Sequence, residues 1–516
     1  MRVAVFDLGS TTFQLLVADA ERDGSVVPIL RDRVVLNLGM ALARAGGHIP
    51  DGVGAHASGI VRRFRDLAER AGAERVLPVA TSALREAGNR EELGALLSEA
   101  AGERVRFVDG SEEGRLTLAG VRAGVALGHG PILLLDLGGG SLEVVVADDG
   151  RPRWSESLPL GAGRLTAEVL QHDPPARSER REIRRRALDL LAPLVERLSE
   201  ADRPVRCVVS GGTAGALARL LAARRWREVP ASLNQFEIRT RDLRELAGEL
   251  GAVDHERRLR MPGVDQRRAE LLPAGAQVLA TAARAFGMPS VVLSEWGFRE
   301  GVALDALGLG DGLGPSAAEL RHRSIERLVK VWGEDPTHAS VVSRLALRLF
   351  DDLSPAHGLG VRERDRLAHA ARIHDIGARI SPDRYHKHGA YLVEHAGLRG
   401  FSPDEIAVVA SVVRFQRGRD PRPSYPPFAG LSARLRERTV VLTGVFRVAH
   451  ALGRGHEHDA TVVSATVDRG TVRIHVAGER DPDAAAAEAR AQADLLCRAL
   501  GREVSFSTQT LERVGV

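Results

Sequence analysis

The chain has 516 residues, too many for one hydrophobic core and enough for three or four domains. Hydrophobic residues make up 44%, charged residues 27% and aromatic residues 4%, a balance that excludes a disordered chain and argues against extended base-stacking surfaces. The formal net charge of +4 rests on arginine, since Lys330 and Lys387 are the only lysines; arginine suits bidentate phosphate contacts, and a coding bias toward arginine accounts for the same figure.

Cys207 and Cys497 are the only cysteines, which excludes a disulfide framework and a cysteine-based zinc site and fits a reducing compartment. The opening MRVAVFDLG reaches an acidic residue too soon for a signal peptide, and no apolar run approaches membrane-spanning length. A cytoplasmic protein bound to neither membrane nor nucleic acid is expected.

In chain order, Val3 to Ala20, VAVFDLGSTTFQLLVADA, reads as a hairpin: an apolar strand, an acidic residue, small residues, then a second apolar strand. Asp51 to Gly72 has helical spacing at Ile60, Phe64 and Leu67, with Gly72 as a stop. Arg75 to Thr81 and Arg104 to Val108 read as strands, Arg90 to Ala101 and Ser111 to Leu127 as helices, with Ser111 as an N-cap. A second hairpin, ILLLDLGGGSLEVVVADD, spans Ile132 to Asp149. After it come a helix around Ser178 to Ser199, the strand Val205 to Ser210, the helix Ala214 to Arg224, helices over Glu237 to Leu250 and Arg267 to Phe286, and the strand Val291 to Ser294.

The glycine-rich run from Ala306 to Ser316 is the clearest composition break and reads as a linker. Beyond it, helices are expected at Ala317 to Val331, Thr337 to Leu353, Val361 to Ile376, His386 to Ala396, Pro403 to Phe415 and Ala433 to Leu452. The tail carries strands at Thr461 to Val467, Thr471 to Val476 and Glu503 to Ser507 and a helix over Asp483 to Leu500; HEHD at His456 to Asp459 reads as a polar surface loop. The expectation is two related α/β domains at 1–127 and 128–307, an all-α domain at 318–455 and a small α+β domain at 456–516.

The two hairpins are copies of one unit, Asp7, Leu8 and Gly9 answering to Asp136, Leu137 and Gly138. Glycine lets an oxyanion approach backbone N–H groups, and short hydroxyls add donors. Three such turns occur: Gly9 to Thr12 with Ser10 and Thr11, Gly138 to Ser141 through Gly139 and Gly140, and Gly211 to Thr213 through Gly212. The third sits between a strand and a helix, where the helix dipole favours anions. Asp7 and Asp136 could hold a divalent cation on the anion's far side. The segment VATSALREAGN offers Arg85 to a phosphate and Glu86 as a first-turn carboxylate, and VDGSEEGRL places Glu112 and Glu113 at a strand-to-helix junction where a carboxylate could act as general base.

Taken in order, DLGSTTFQLL, ATSALREAGN, DGSEEGRL, DLGGGSLEVVV, SGGTAGALA and SEWGFREGVAL closely resemble the exopolyphosphatase and guanosine pentaphosphate phosphohydrolase family, Ppx/GppA. The resemblance is dense over residues 1–307 and looser to about Leu452. It implies two duplicated actin-like domains of the ribonuclease-H type, followed by an HD-like helical domain. It implies Glu113 as the base that activates water, Asp7 and Asp136 positioning Mg²⁺, and Glu143 assisting metal or water. Ser10, Thr11, Gly139, Gly140 and Ser141 would hold phosphates, with Arg85 as a cationic contact. The activity implied is release of terminal phosphate from inorganic polyphosphate, with hydrolysis of guanosine pentaphosphate (pppGpp) to ppGpp as the nearest alternative. An actin-like ATP-dependent kinase or chaperone and a non-catalytic ppGpp-binding sensor are further alternatives, and a homodimer is the implied assembly.

In the helical region His338, His374 and Asp375, with His386 and His388, resemble the HD phosphohydrolase metal pattern. Gln416 stands where relatives tend to have His, so buried, hydrogen-bonded histidines with a structural or substrate-channel role are the preferred expectation.

Overall fold

A computed structural model describes residues 1–310, 314–333, 335–453, 462–478 and 481–511. Strands β1 (Arg2–Leu8) and β2 (Thr12–Ala20) form the first hairpin, pairing Asp7 with Gln14. β3 (Val26–Val35) pairs with β2, while β4 (Arg75–Ala80) and the two-residue β5 (Arg106–Phe107) run parallel beyond β1, giving the order β3-β2-β1-β4-β5. β1 is central and buried almost throughout, which is why its sequence is a continuous apolar run rather than an alternating one.

The second sheet repeats this plan. β6 (Ile132–Leu137) and β7 (Leu142–Asp148) form its hairpin, β8 (Arg151–Leu158) pairs with β7, and β9 (Arg206–Ser210) runs parallel to β6. β10 (Glu237–Arg239) and β11 (Ser290–Leu293) complete the order β10-β11-β9-β6-β7-β8. The two sheet-containing halves therefore share one topology and resemble the actin-like fold.

Several local expectations are corrected. The helix Gly110–Gly124 is capped by Asp109, whose side chain accepts from the Glu112 N–H, and not by Ser111. Glu237 opens as a strand before the helix Thr240–Leu250, and the expected helix from Arg267 begins only at Leu272, after a single 3₁₀ turn. The edge strands β3 and β8 are interrupted by polar runs, Arg31 to Arg33 and Ser155 to Ser157, and the sequence reading passed over them. It also passed over the helices Leu38–Arg44, Ala162–Val169 and Phe298–Asp305. The last of these packs closely on Gly110–Gly124. A Cβ on Gly120 would lie 1.8 Å from the Gly297 carbonyl oxygen and one on Gly301 1.8 Å from that of Leu116. Trp296 and Leu304 share an apolar cluster with Val3, Val5 and Leu16, so the chain leaving the second sheet returns to cover the first.

By its contacts the chain divides into two compact units, one of Met1–Arg224 with Leu233–Leu320, the other running from Arg321 onward with the excursion Arg225–Ser232. In the second unit the helices Pro336–Asp352, Val361–Arg372, Pro403–Phe415 and Ala433–Leu452 and the sheet β12 (Val462–Val467), β13 (Thr471–Gly478) and β14 (Glu503–Thr510) contribute to a single core, with Leu349, Val409, Phe446, Val472, Ile474 and Leu496 all buried. The expected helix over Asp483 to Leu500 is two, Pro482–Ala491 and Asp494–Leu500. The HEHD run lies outside the described residues, as does part of the glycine-rich linker. No helix among the described residues is long and apolar enough to cross a membrane.

Candidate active site

Asp7 and Asp136 occupy equivalent places near the C-terminal ends of β1 and β6, each one residue before its hairpin turn. The Gln14 amide donates to Asp7 Oδ2 at 3.0 Å. Asp136 accepts from Ser210 Oγ at 2.8 Å, at the end of β9, and from Thr117 Oγ1 at 3.3 Å. Glu143 lies opposite Asp136 on β7 and is 1% exposed; Ser157 Oγ on β8 donates to its Oε1 at 2.9 Å.

Glu113 sits in the first turn of Gly110–Gly124 and is 8% exposed, whereas its neighbour Glu112 pairs outward with Arg106. Two glycines allow that helix to press on β8: a Cβ on Gly110 would lie 2.2 Å from the Ser157 Cβ, and one on Gly114 2.1 Å from Ser155 Oγ. Arg85 donates to the Val108 carbonyl and stands 3.4 Å from Glu113 Oε2, so this cation is held between the backbone and the Glu113 carboxylate. Glu86 instead pairs with Arg164 at 2.5 Å, and Arg164 Nε donates to the Gly140 carbonyl at 2.9 Å.

The two hairpin turns touch. A Cβ on Gly139 would meet Thr11 Oγ1 at 1.8 Å, and one on Gly140 would meet Ser82 Oγ at 2.1 Å and Ser10 Oγ at 2.5 Å. Ser10 Oγ lies 2.7 Å from Ser82 Oγ and accepts from the Ala83 N–H at 3.1 Å. The Thr12 hydroxyl is buried and has no hydrogen-bond partner among the described residues. Gly138 and Gly139 carbonyls accept from Ala162 and Arg164 N–H groups at 3.0 and 2.9 Å, and Ser141 is buried beside them. The third turn adjoins the second Asp. Gly211, at φ +96°, has a conformation that glycine favours, and a Cβ there would lie 2.9 Å from Asp136 Oδ1. Gly212 and Thr213 open the helix Gly212–Arg225.

The electrostatics are those of crowded carboxylates. Burial, reinforced by Asp136 and Glu300 and opposed by Arg299 and the Gln14 amide, pushes Asp7 up to about 6. Burial and then the Asp136 charge push Glu143 up to about 7 against the Ser141 and Ser157 hydroxyls. Glu113 is held well above the usual carboxylate range by burial and by Glu143, Asp136 and Asp7, with Arg85 opposing. Burial raises Asp136 against its two hydroxyl donors. Glu113 feels Glu143, Asp136 and Asp7, and Asp7 and Glu143 each feel Asp136. These oxygen donors suit a hard divalent cation in kind, which would favour their charged forms, although among the described residues no three of them bring their oxygens within 4.8 Å of one another.

Two cations here escaped the sequence reading. Arg299, from the SEWGFREG run, acts on Asp7, and Arg268 presses its guanidinium against Gly212, where a Cβ would come within 2.2 Å. Arg268 is largely buried and feels the charges of Arg33 and Arg299, with Asp265 as its opposite charge 3.9 Å away. This grouping of arginines beside the turns suits a polyanion. Its members come from segments far apart in sequence; Arg299 lies in the SEWGFREGVAL motif, but nothing local marks Arg268 or Arg33 as its companions.

In the helical unit His338 and His374 do meet, but their companion is His450 and not Asp375. The Asp375 carboxylate accepts from the backbone N–H groups of Asp375 and Asp335. The sequence reading missed His450 because nothing local distinguishes it at the end of Ala433–Leu452. Gln416 is buried and donates to the His374 carbonyl at 2.8 Å, so it fixes the backbone there. His386 and His388 lie outside the cluster.

A model of the Ppx/GppA phosphatase family matches residues 17–309, and one of Ppx/GppA phosphatase domain III matches residues 320–488. The chain is 34% identical over 349 residues to exopolyphosphatase 1 of Mycobacterium tuberculosis, covering 67% of this chain and 98% of the relative. The crystal structure of the Aquifex aeolicus Ppx/GppA family member superposes with a TM-score of 0.51 at 26% identity, over 60% of this chain and 98% of that one. An exopolyphosphatase from Cytophaga hutchinsonii shares the fold, with a TM-score of 0.56 at 24% identity over 61% of this chain and all of that one. With two duplicated sheets, paired aspartates and abutting glycine turns under a family model that spans most of the first unit, the chain belongs to the Ppx/GppA phosphatase family and is a phosphatase hydrolase.

Proposed function

We propose that this enzyme is an exopolyphosphatase that releases the terminal phosphate of inorganic polyphosphate. The observation that carries this is the convergence of Asp7, Asp136, Glu113 and Glu143 where the Ser10–Thr11 and Gly139–Gly140 turns touch. The name of the mycobacterial relative, exopolyphosphatase 1, supports the substrate.

Glu113 orients a water and takes its proton as the water oxygen attacks the terminal phosphorus. The phosphoanhydride bond on the opposite side breaks, its electron pair passing to the bridging oxygen of the shortened chain, and orthophosphate leaves. Arg85 holds Glu113 in place, and Ser10, Thr11, Thr12, Gly138, Gly139, Gly140 and Ser141, with Gly211, Gly212 and Thr213, cradle the phosphate oxygens. Asp7 and Asp136 would hold Mg²⁺ with Glu143 alongside; when bound, the ion neutralises charge developing on the phosphoryl oxygens. Hydrolysis of pppGpp to ppGpp would use the same parts.

Phosphate release from long polyphosphate and from pppGpp, measured on the wild type and on Glu113→Gln, tests the reading. Faster turnover on polyphosphate is expected, with Glu113→Gln lowering kcat by about 10²–10⁴ while substrate affinity is kept. Preference for pppGpp overturns the substrate, and unchanged kcat in the variant overturns the base.

A further inference from the structure

The helical unit holds a cluster that phosphate hydrolysis does not use. His338 lies in the first turn of Pro336–Asp352, His374 just beyond the end of Val361–Arg372 and His450 in the last turn of Ala433–Leu452. Ring centroids are 5.2 Å apart for His338–His374 and His374–His450 and 6.1 Å apart for His338–His450. One ligating atom from each ring falls within 4.8 Å of the others. His374 is fully buried, His450 is 4% exposed and His338 is partly exposed, so one side of the cluster reaches solvent.

Two details separate this arrangement from ordinary packed histidines. His374 Nδ1 lies 2.8 Å from the Ala371 carbonyl oxygen. A carbonyl can only accept, so Nδ1 carries the proton and Nε2 turns a lone pair toward the cluster, the relation by which a backbone carbonyl sets the tautomer of a metal-bound histidine. That Nε2 stands 3.4 Å from His338 Nε2. This is beyond the roughly 2.7–3.2 Å of a good hydrogen bond. It matches the separation of roughly 3.3–3.4 Å between two nitrogens at about 2.0–2.1 Å from one tetrahedral ion.

We propose that His338, His374 and His450 form a binding site for a divalent transition ion of the zinc class, distinct from the carboxylate site of the first unit. Among the described residues the ligating trio is all imidazole, the nearby Asp375 carboxylate, which acts on His338, being taken up by backbone N–H groups; such a set suits zinc or cobalt and not magnesium or calcium. Water fills the fourth position, beside Tyr385, whose hydroxyl is 3.4 Å from His450 Nε2. Phe446 packs on both His374 and His450, giving the site an apolar wall. An ion here ties three helices of one core together, so it stabilises the folded unit by binding the native state alone.

The test uses the full-length chain, stripped with chelator and titrated with Co²⁺ in excess Mg²⁺, which occupies the oxygen-donor site. One Co²⁺ per chain is expected, with the intense visible absorption of four-coordinate cobalt, displaced by Zn²⁺ and accompanied by a rise in Tm. His338→Gln and His450→Gln, each checked for native far-UV circular dichroism, are expected to weaken Co²⁺ binding by more than the roughly 10–100-fold that loss of an outer partner costs. Only the weak absorption of six-coordinate cobalt in the wild type overturns the proposal whatever the variants do, and so does Co²⁺ affinity equal in the wild type and folded His338→Gln.

Discussion

At one register position the two hairpins carry different groups: Gln14 opposite Asp7, Glu143 opposite Asp136. Their outer neighbours differ as well, since β3 sets Arg33 against Gln14 and β8 sets Ser157 against Glu143. In the first half an amide therefore satisfies the aspartate. In the second, hydroxyls from Ser210 and Thr117 satisfy it and the spare position holds a further buried carboxylate. Duplication supplied two matching loops that abut one another. Divergence at a single position then concentrated negative charge in the second half, next to Glu113.

The largest effect expected after that of Glu113→Gln comes from removing this difference. Glu143→Gln makes the second hairpin resemble the first, and we expect it to lower Mg²⁺ affinity or turnover by roughly 10–100-fold, as for loss of a group that supports a metal site. Steady-state kinetics over a Mg²⁺ series measure it, and wild-type Mg²⁺ dependence would refute a role for the carboxylate. A sharper comparison moves the carboxylate across: Gln14→Glu combined with Glu143→Gln keeps the total charge. Glu113 lies near β8 and Arg33 opposes position 14, so the exchange is expected to recover less than about tenfold of the Glu143→Gln loss. Full recovery would mean that the two halves are interchangeable.

The duplicated half of this site was legible because it is local. Asp7 and Asp136 each end an apolar run one residue before small residues, and the register of a tight hairpin carries the correspondence on to Gln14 and Glu143. Glu113 was visible as a carboxylate at a strand-to-helix junction, although its cap is Asp109. What the sequence hid is tertiary. Arg268 and Arg299 reach the turns from other segments, His450 meets His338 and His374 only when helices pack, and polar β8 reveals its role only through Ser157 beneath Glu143. The third glycine turn shows the same limit: its counterpart in the first half, after β4, is Thr81–Ala83, which has no glycine to announce it.

The smallest expected effect is a pH dependence of stability that differs between the halves. In metal-free protein Asp7 is raised to about 6 and Glu143 to about 7, both above their ordinary values. Between pH 5 and 7 the folded state therefore binds more protons than the unfolded chain, so stability falls as pH rises, by at most about 1.4 kcal/mol per pH unit for each group. Glu113 and Asp136 are raised as well, so the fall continues until they too are ionised in the folded state. Mg²⁺ favours the ionised carboxylates, so its addition should remove the decline, most visibly at pH 8. Asp136 opposes the charge of both; Arg299 and the Gln14 amide support that of Asp7, and the Ser141 and Ser157 hydroxyls and Arg85 that of Glu143, with Asp7 the less raised of the two. Urea unfolding of the chelated protein at pH 5 to 8 should accordingly show the decline reduced mainly toward pH 6 in Asp7→Asn and mainly toward pH 7 in Glu143→Gln, with the part that Glu113 contributes persisting in each. Stability that is flat across this range in chelator would show that the carboxylates are better solvated than their burial indicates, and would remove the electrostatic reason for a cation between the two hairpins.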